Sequence, residues 1–490
     1  MLGRQERWQE DLFIAAPLRD LIPDDHILKR VDRVLDLSWL RDEVRDLYCE
    51  DNGRPGIDPE AAVRLMLAGL FHGIVHDRKL LREAQVNIAI RWFAGYRLTE
   101  KLPNHSSLTN IRQRWGEERF KRIFRRSVQQ CAEAGLVDGQ TVHIDATLIR
   151  ADVSWQSLTQ RHVEAVLAEN EPTNDDHDDD GDDGREQENA PPAPRRRGRP
   201  RTRPAKVKKY SPTDPDATMA TSSRDHRMEP CYKQHTAVDD RCGVIVDVHV
   251  TTGEASEGQQ LEAQLDRIEA NTQTAVQRMT ADAAYAHARN YGALEDREVE
   301  AVIPPQREAT RRGRIPARRF KYDDHQKVVR CPAGKILRPS GRPDDHSTLY
   351  RARACDCKDC PLRARCIAPT VQVRVIRIVD DHAALIRARR RHARGEITDS
   401  DLYKRHRWRA EGVHGEAKSQ HGLRRAARRG LANVSVQAYL TAAVMNLKRL
   451  AASACAFILR LVRRIEPLLA MLRPTLARAA SFTPNAPRAA

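Results

Sequence analysis

From Val142 onward the chain alternates short β-rich segments with helical ones, and this pattern limits the fold more than any other feature. The β-rich segments are residues 142–149, 232–238, 244–250, 277–281 and 299–303, and helical periodicity at 256–271 and 286–296 separates the later ones. Strands interleaved with helices cannot all be joined by hairpins, so the pattern predicts an α/β unit with a mixed sheet flanked by helices. Residues 1–130 instead read as helical. Asp58-Pro59-Glu60 offers a capping acid, a first-turn proline and a first-turn acid ahead of Val63, Leu65, Met66, Leu67 and Leu70. A later helix starts near Asn104, with Leu108, Ile111 and Trp115 on one face and Arg112, Arg114 and Arg119 elsewhere. That suits the second helix of a DNA-reading pair, with Arg112 as a DNA contact. A small helical bundle with an incidental basic face reads the same.

Two insertions interrupt the α/β pattern. Residues 175–188 carry nine acids against one arginine, and residues 195–209 carry nine cations and no acid. Such a tract buries too little apolar surface to offset its ordering entropy, so residues 170–212 are expected to be disordered. Within it, Arg197-Gly198-Arg199-Pro200-Arg201 resembles an AT-hook, whose arginines enter the narrow minor groove of A·T tracts. A linker whose acidic and basic halves neutralise each other is the competing reading. The second insertion, residues 306–378, holds Cys331, Cys355, Cys357, Cys360 and Cys366. Four thiolates can close a tetrahedral Zn²⁺ site, and the spacing of Cys357 and Cys360 is that of a knuckle. Five cysteines compete for four places; the preferred set is Cys331, Cys357, Cys360 and Cys366. Free reduced thiols are the alternative.

Charge narrows the class of partner. The chain has a formal net charge of +16, and residues 381–490 hold 22 Lys and Arg against 7 Asp and Glu. An excess so concentrated selects polyanions, nucleic acid first. With aromatic residues at only 5%, stacking on bases is not expected to dominate that binding. The apolar stretch at 450–472 is broken by Arg460, Arg463, Arg464, Glu466 and Pro467, so it suits packing and not a lipid span. The N-terminus lacks the apolar core of a signal peptide. No membrane partner is expected, and the cytoplasm, in association with the nucleoid, is the expected location.

Three acids stand out against this basic background. On a helix, Lys404, Arg407, Glu411 and Lys418 fall on one stripe where an apolar seam would ordinarily run. Asp145, in Val-His-Ile-Asp-Ala-Thr, and Asp282, in Met-Thr-Ala-Asp-Ala-Ala-Tyr, stand at apparent strand ends. Carboxylates drawn from three separated segments suit two Mg²⁺ ions, which activate a hydroxyl nucleophile and stabilise the leaving oxygen of a phosphodiester. Each acid also has a plainer role open to it. Asp145 could cap a turn, with Asp152 as the alternative acid; Asp282 could cap the following helix; Glu411 could pair with Arg407. Arg424 and Arg425 belong to a run of nine Lys and Arg between residues 404 and 429, which should make DNA binding fall steeply with salt.

The sequence resembles the DDE transposases of bacterial insertion sequences, in the branch with a Tyr-x2-Arg-x3-Glu-x6-Lys signature. Arg407, Glu411 and Lys418 match that signature, while Lys404 takes the tyrosine position and Tyr403 stands one residue early. His143-Ile144-Asp145-Ala146-Thr147 and Thr280-Ala281-Asp282-Ala283-Ala284-Tyr285 resemble the two aspartate strands, and Arg429-Gly430-Leu431 with Asn446-Leu447-Lys448 resembles the helical tail. Residues 53–120 resemble the family's helical N-terminal domain. The resemblance implies an RNase H-like core over residues 138–450, preceded by a helical DNA-binding domain over 1–130 and followed by a basic helical tail over 451–490. It implies Mg²⁺ (or Mn²⁺) at Asp145, Asp282 and Glu411, cleavage at the element's terminal repeats, and joining of the freed 3′-hydroxyl to target DNA. Arg407 and Lys418 would then contact phosphates near the scissile position. Double-stranded DNA and a homodimer or higher multimer are the implied partners. A catalytically decayed, element-derived DNA-binding protein and a nuclease that cuts without joining are the competing expectations.

Overall fold

A computed structural model describes residues 16–49, 56–162, 207–221, 227–307, 313–340 and 346–480. The AT-hook-like arginines Arg197 and Arg199 lie outside the described residues. The N-terminal helices are α1 (Ile27–Asp32), α2 (Leu40–Glu43), α3 (Pro59–Phe71), α4 (Asp77–Val86), α5 (Ile88–Phe93) and α6 (His105–Glu133). The Asp58 side chain accepts from the amides of Glu60 and Ala61 with Pro59 behind it, and Asn104 caps α6 through Ser106. These caps satisfy amides that have no partner within the helix. At Gly116 α6 is kinked, with φ 68° and ψ 179°, a conformation reserved almost wholly for glycine.

The sheet that carries the acids is built from β1 (Thr141–Arg150), β4 (Thr218–Ala220), β5 (Glu229–Asp239), β6 (Ile245–Thr252), β7 (Arg278–Thr280) and β8 (Glu300–Val302). A separate pair, β2 (Thr159–His162) and β3 (Val207–Tyr210), is antiparallel, so the span expected to be disordered is ordered strand from residue 207 to 210. Across the sheet the order runs β6-β5-β1-β7-β8, with β4 pairing the start of β5 on the side where β6 pairs the rest. β1 is antiparallel to β5 and parallel to β7, and β7 is parallel to β8. Helices α7 (Leu261–Thr272) and α8 (Ala288–Asp296) form the crossovers that parallel strands require.

The Cys-rich insertion contains an antiparallel sheet of its own, ordered β13-β12-β11-β10-β9 and made of β9 (Lys321–Asp323), β10 (Val328–Arg330), β11 (Ile336–Pro339), β12 (Ser347–Arg351) and β13 (Val375–Val379). A small cluster including Phe320, Val329, Leu337, Tyr350, Ile376 and Ile378 forms its core. The chain then enters α9 (His382–Ala393), α10 (Asp401–His406), a π-helical turn (Arg407–Glu411), α11 (Gly412–Gln420) and α12 (Leu431–Ala480).

The helices of the expected 1–130 domain and the sheet of the expected 138–450 domain share one core among the described residues. One apolar cluster runs from Leu28, Leu65 and Trp115 through Val142, Ile144 and Val246 to Val444 and Leu447. The 450/451 boundary falls inside α12, whose N-terminal half is buried among the other helices. Phe124 stacks on Tyr439, and the buried Asn446 side chain both donates to and accepts from the backbone of Ile245, at 2.9 Å each way, while donating to Ser127. The start of α12 is capped from across the chain, by Asp214 on the amide of Gly430 and Asp216 on that of Leu431.

Candidate active site

The parallel pairing of β1 with β7 ends at His143 and Thr280, and Asp145 and Asp282 each lie two residues further along. Alternation along a strand returns the side chain to the same face every second residue, so Asp145 follows His143 and Asp282 follows Thr280 onto the face where His143 Nδ1 and Thr280 Oγ1 meet at 2.6 Å. Past this point the strands separate. Both aspartates line the resulting cleft, of about 810 Å³, with Glu257, Lys233 and Lys418. Arg150, Arg227, Arg424 and Glu229 also line it, among uncharged residues.

The two carboxylates differ in environment. Burial works to raise the Asp145 pKa, but a hydrogen bond and the charge of His414, with His406 and the Ala146 amide behind them, outweigh it and hold it below the ordinary value. His414 Nδ1 lies 3.4 Å from Asp145 Oδ2. Burial pushes Asp282 up to about 6, with Glu257 and Asp145 adding to the rise and the Ala284 amide and Lys233 opposing it. Asp145 adds to the rise at Asp282, and two carboxylates facing one cleft form a donor set that suits a divalent cation. Among the described residues, no group of three or more His, Cys, Asp or Glu side chains is gathered closely enough to hold a metal ion.

The helical layer over this face explains where Glu411 goes. In α10, the π-helical turn and α11, the buried residues are Leu402, His406, Ala410, Val413, His414 and Ala417. A π-helical turn adds a residue to the turn and breaks the regular stripe. The expected line of Lys404, Arg407, Glu411 and Lys418 is therefore divided: Lys418 lines the cleft, while the other three side chains are exposed. Glu411 lies outside the cleft lining and sits 3.5 Å from Arg407 Nε. Burial raises the Tyr403 phenol, and Asp282, Asp145 and Glu411 add to the rise, so Tyr403 lies within electrostatic reach of all three expected acids.

Behind the acids runs a buried polar chain that the sequence reading missed. Asp240 receives a bidentate contact from Arg405, at 2.9 and 2.8 Å, and meets His143 Nε2 at 3.0 Å. Thr280 Oγ1 joins His143 to His406 Nδ1 at 3.0 Å, and the two imidazoles stack. Burial lowers His406 to about 4. The sequence signal was available: His406, Ala410, Val413, His414 and Ala417 recur at helical spacing, opposite the cationic stripe that drew attention first.

The remaining expected residues are distributed as follows. Arg112, expected to contact DNA, is buried against Asp77, with bonds of 2.7 and 2.9 Å, as an interior guanidinium requires a carboxylate. Arg425 pairs with Asp152 at 2.9 Å and Lys404 with Asp401 at 3.3 Å, both on the surface. Arg424 lines the cleft. Asp282 also fills its plainer role, accepting from the Ala284 amide. Cys331, Cys357 and Cys366 pack against the small core of the insertion, and the charges of Cys357, Cys360 and Cys331 act on the Cys366 thiol. The four are neighbours, but as placed they do not assemble into a zinc site. No described helix is long and apolar enough to cross a membrane.

Comparison with known proteins follows this geometry. Residues 16–114 match the family described as Transposase domain (DUF772), and residues 330–451 match the family described as Transposase DDE domain. No curated protein matches the chain. One similar solved structure is titled as the Mos1 mariner paired end complex with Mn, at 10% identity and a TM-score of 0.14, covering 55% of this chain. This chain spans 65% of that protein's length. The chain thus carries a match to a transposase family toward each end, the second of them a DDE domain.

Proposed function

We propose that this transposase binds the ends of its element and carries out metal-dependent DNA strand cleavage and strand transfer at the Asp145–Asp282 cleft. One observation carries the reading: two aspartates at matched positions beyond a parallel strand pair face a cleft whose lining also includes Lys233, Lys418, Arg150, Arg227 and Arg424. The strand order β6-β5-β1-β7-β8 supports an RNase H-like description of the core. Asp145 and Asp282 would hold the divalent ion, Mg²⁺ or Mn²⁺, with Glu411 as the third carboxylate. Bound there, the ion would activate the attacking hydroxyl and stabilise the leaving oxygen.

The protein's own residues do the rest. His414 orients Asp145. Lys418 and Arg424 offer positive charge to the phosphates of a strand lying in the cleft, and Arg407 offers it from the exposed turn. Double-stranded DNA, both element ends and target, is the partner, and a multimer bridging two ends is the working assembly.

The exposure of Glu411 and its pairing with Arg407 favour a second reading, a DNA-binding protein whose catalytic centre has decayed. Labelled element ends, target plasmid and Mg²⁺ separate the two when wild type is compared with Asp145→Asn and Glu411→Gln. The transposase reading expects cut and joined products from wild type alone. Cutting without joining identifies a nuclease, and binding without cutting establishes the decayed form.

A further inference from the structure

Asp145 and Asp282 share their cleft with a third acid, and it is not Glu411. Glu257 lines the same cleft from the turn between β6 and α7. That turn is tied to the segment carrying Asp282, because Asn290 of α8 donates to the carbonyl oxygens of both Gly258, at 2.8 Å, and Tyr285, at 2.9 Å. The approach is close: a side-chain carbon on Gly258 would lie 2.1 Å from His287 Cδ2 and 3.3 Å from the carbonyl oxygen of Ala284. Glu257 therefore stands on backbone fixed relative to Asp282, whereas Glu411 stands on an exposed turn.

The surroundings of Glu257 suit an acid that meets a cation. Its carboxylate lies 3.2 Å from Lys233 Nζ, and the two side chains are 23% and 13% exposed. Lys233 is itself anchored, donating to the carbonyl oxygen of Ala255 at 2.7 Å. Burial leads the rise at Asp282, and among the neighbouring charges Glu257 adds most, ahead of Asp145, with Lys233 opposing. A separate observation points to the same place. The Tyr285 hydroxyl is fully buried and has no partner; burial raises its phenol, and the charges adding to that rise are Glu257, Asp145 and Asp282. A buried hydroxyl calls for a partner, and the water shell of a cation held by these acids supplies one.

We propose that Glu257 is a fourth metal-ligating carboxylate of this cleft, with Lys233 as the positioning residue that holds it while the ion is absent. The inference rests on the cleft being the metal centre. Three carboxylates leave two divalent ions one negative charge short before a phosphate arrives, and Glu257 supplies that charge. Glu257 exchanges Lys233 for the ion when the site fills.

The test is a direct titration of the full chain with Mn²⁺, without DNA, following the free ion. Glu257→Gln, which keeps an oxygen for Lys233, should weaken Mn²⁺ binding at least about 10-fold, as Asp145→Asn should. Glu254→Gln removes the same charge three residues away, where Glu254 pairs with Lys208, and should bind as wild type does. Melting temperatures without the ion should agree among these variants. If Glu257→Gln melts lower, Glu257→Asp, which keeps the charge on a shorter arm, takes its place with the same expected loss. An unchanged affinity in the Glu257 variant, or an equal loss in Glu254→Gln, overturns the ligand role. If wild type and Asp145→Asn both bind no Mn²⁺, the metal centre itself is removed, and the ligand role with it.

Discussion

Asp145 has one carboxylate oxygen on the Ala146 amide, at 2.8 Å, and the other facing His414. The imidazole Nε2 of His414 is buried without a partner, so the ring is held by packing and by this carboxylate. A buried group beside a metal-binding carboxylate fixes its orientation, and removing such a group costs about 10- to 100-fold in metal affinity. His414→Phe, which keeps the volume and removes the donor, should weaken Mn²⁺ binding by about 10-fold in a titration that follows the ion directly. His414→Asn should keep part of the affinity, and an unchanged Mn²⁺ affinity in the phenylalanine variant would show that His414 only fills space. Asp145 and Asp282 were readable in the sequence as acids in or just after β-rich segments, although Asp145 proves to lie in the middle of β1 and not at a strand end; Glu257 and His414 were not, since their roles arise only when the segment after β6, α11 and β1 are brought together.

At the scale of elements, α11 is anchored to α12 by Glu416. Burial works to raise this carboxyl, but the hydrogen bonds of His421 and Lys448 and the charges of Arg449 and Lys448 bring it down to about 2. A carboxyl whose pKa is lower in the folded than in the unfolded chain stabilises the fold fully above the unfolded value, and that contribution is lost as pH falls toward the folded one. Acid denaturation between about pH 4.5 and 2 should therefore be shallower in Glu416→Gln than in wild type, because the variant has already lost the contribution. Parallel pH titrations followed by circular dichroism would show it, and superimposable slopes would count against the anchor. The long strands and α7 and α8 were legible from periodicity. The strands of the Cys-rich insertion were not, being only three to five residues long, too short for a period to show. The π-helical turn was equally hidden, because its residues satisfy helical spacing as well as an α-helix would.

For the whole molecule, the decisive joint lies between the N-terminal helices and the segment after Gln420. Asp77 at the start of α4 binds Arg112 of α6 and, at 2.5 Å, Arg428. Gly73, at φ 68°, passes so close that a side-chain carbon there would lie 2.9 Å from the carbonyl oxygen of Gln420. Asp77→Asn would leave two guanidiniums facing each other without an acid, a loss of about 3–5 kcal/mol. Replacing all three by apolar residues of similar size should restore most of it. Chemical denaturation should also show one transition for wild type, since the core is shared; an N-terminal unit that melts separately would contradict that.

The sequence by itself determined the alternation of strand and helix, the concentration of cations late in the chain, and the three acids worth testing. Each is a local property, set by side-chain period, backbone preference or charge count over a short window. Only the tertiary structure decided that Asp145 and Asp282 share a cleft while Glu411 is exposed beside Arg407, and that Arg112 is buried in an ion pair. Those outcomes depend on strand register, on one extra residue in a helical turn, and on which charges the interior must neutralise, all of which are fixed by contacts between residues far apart in the chain.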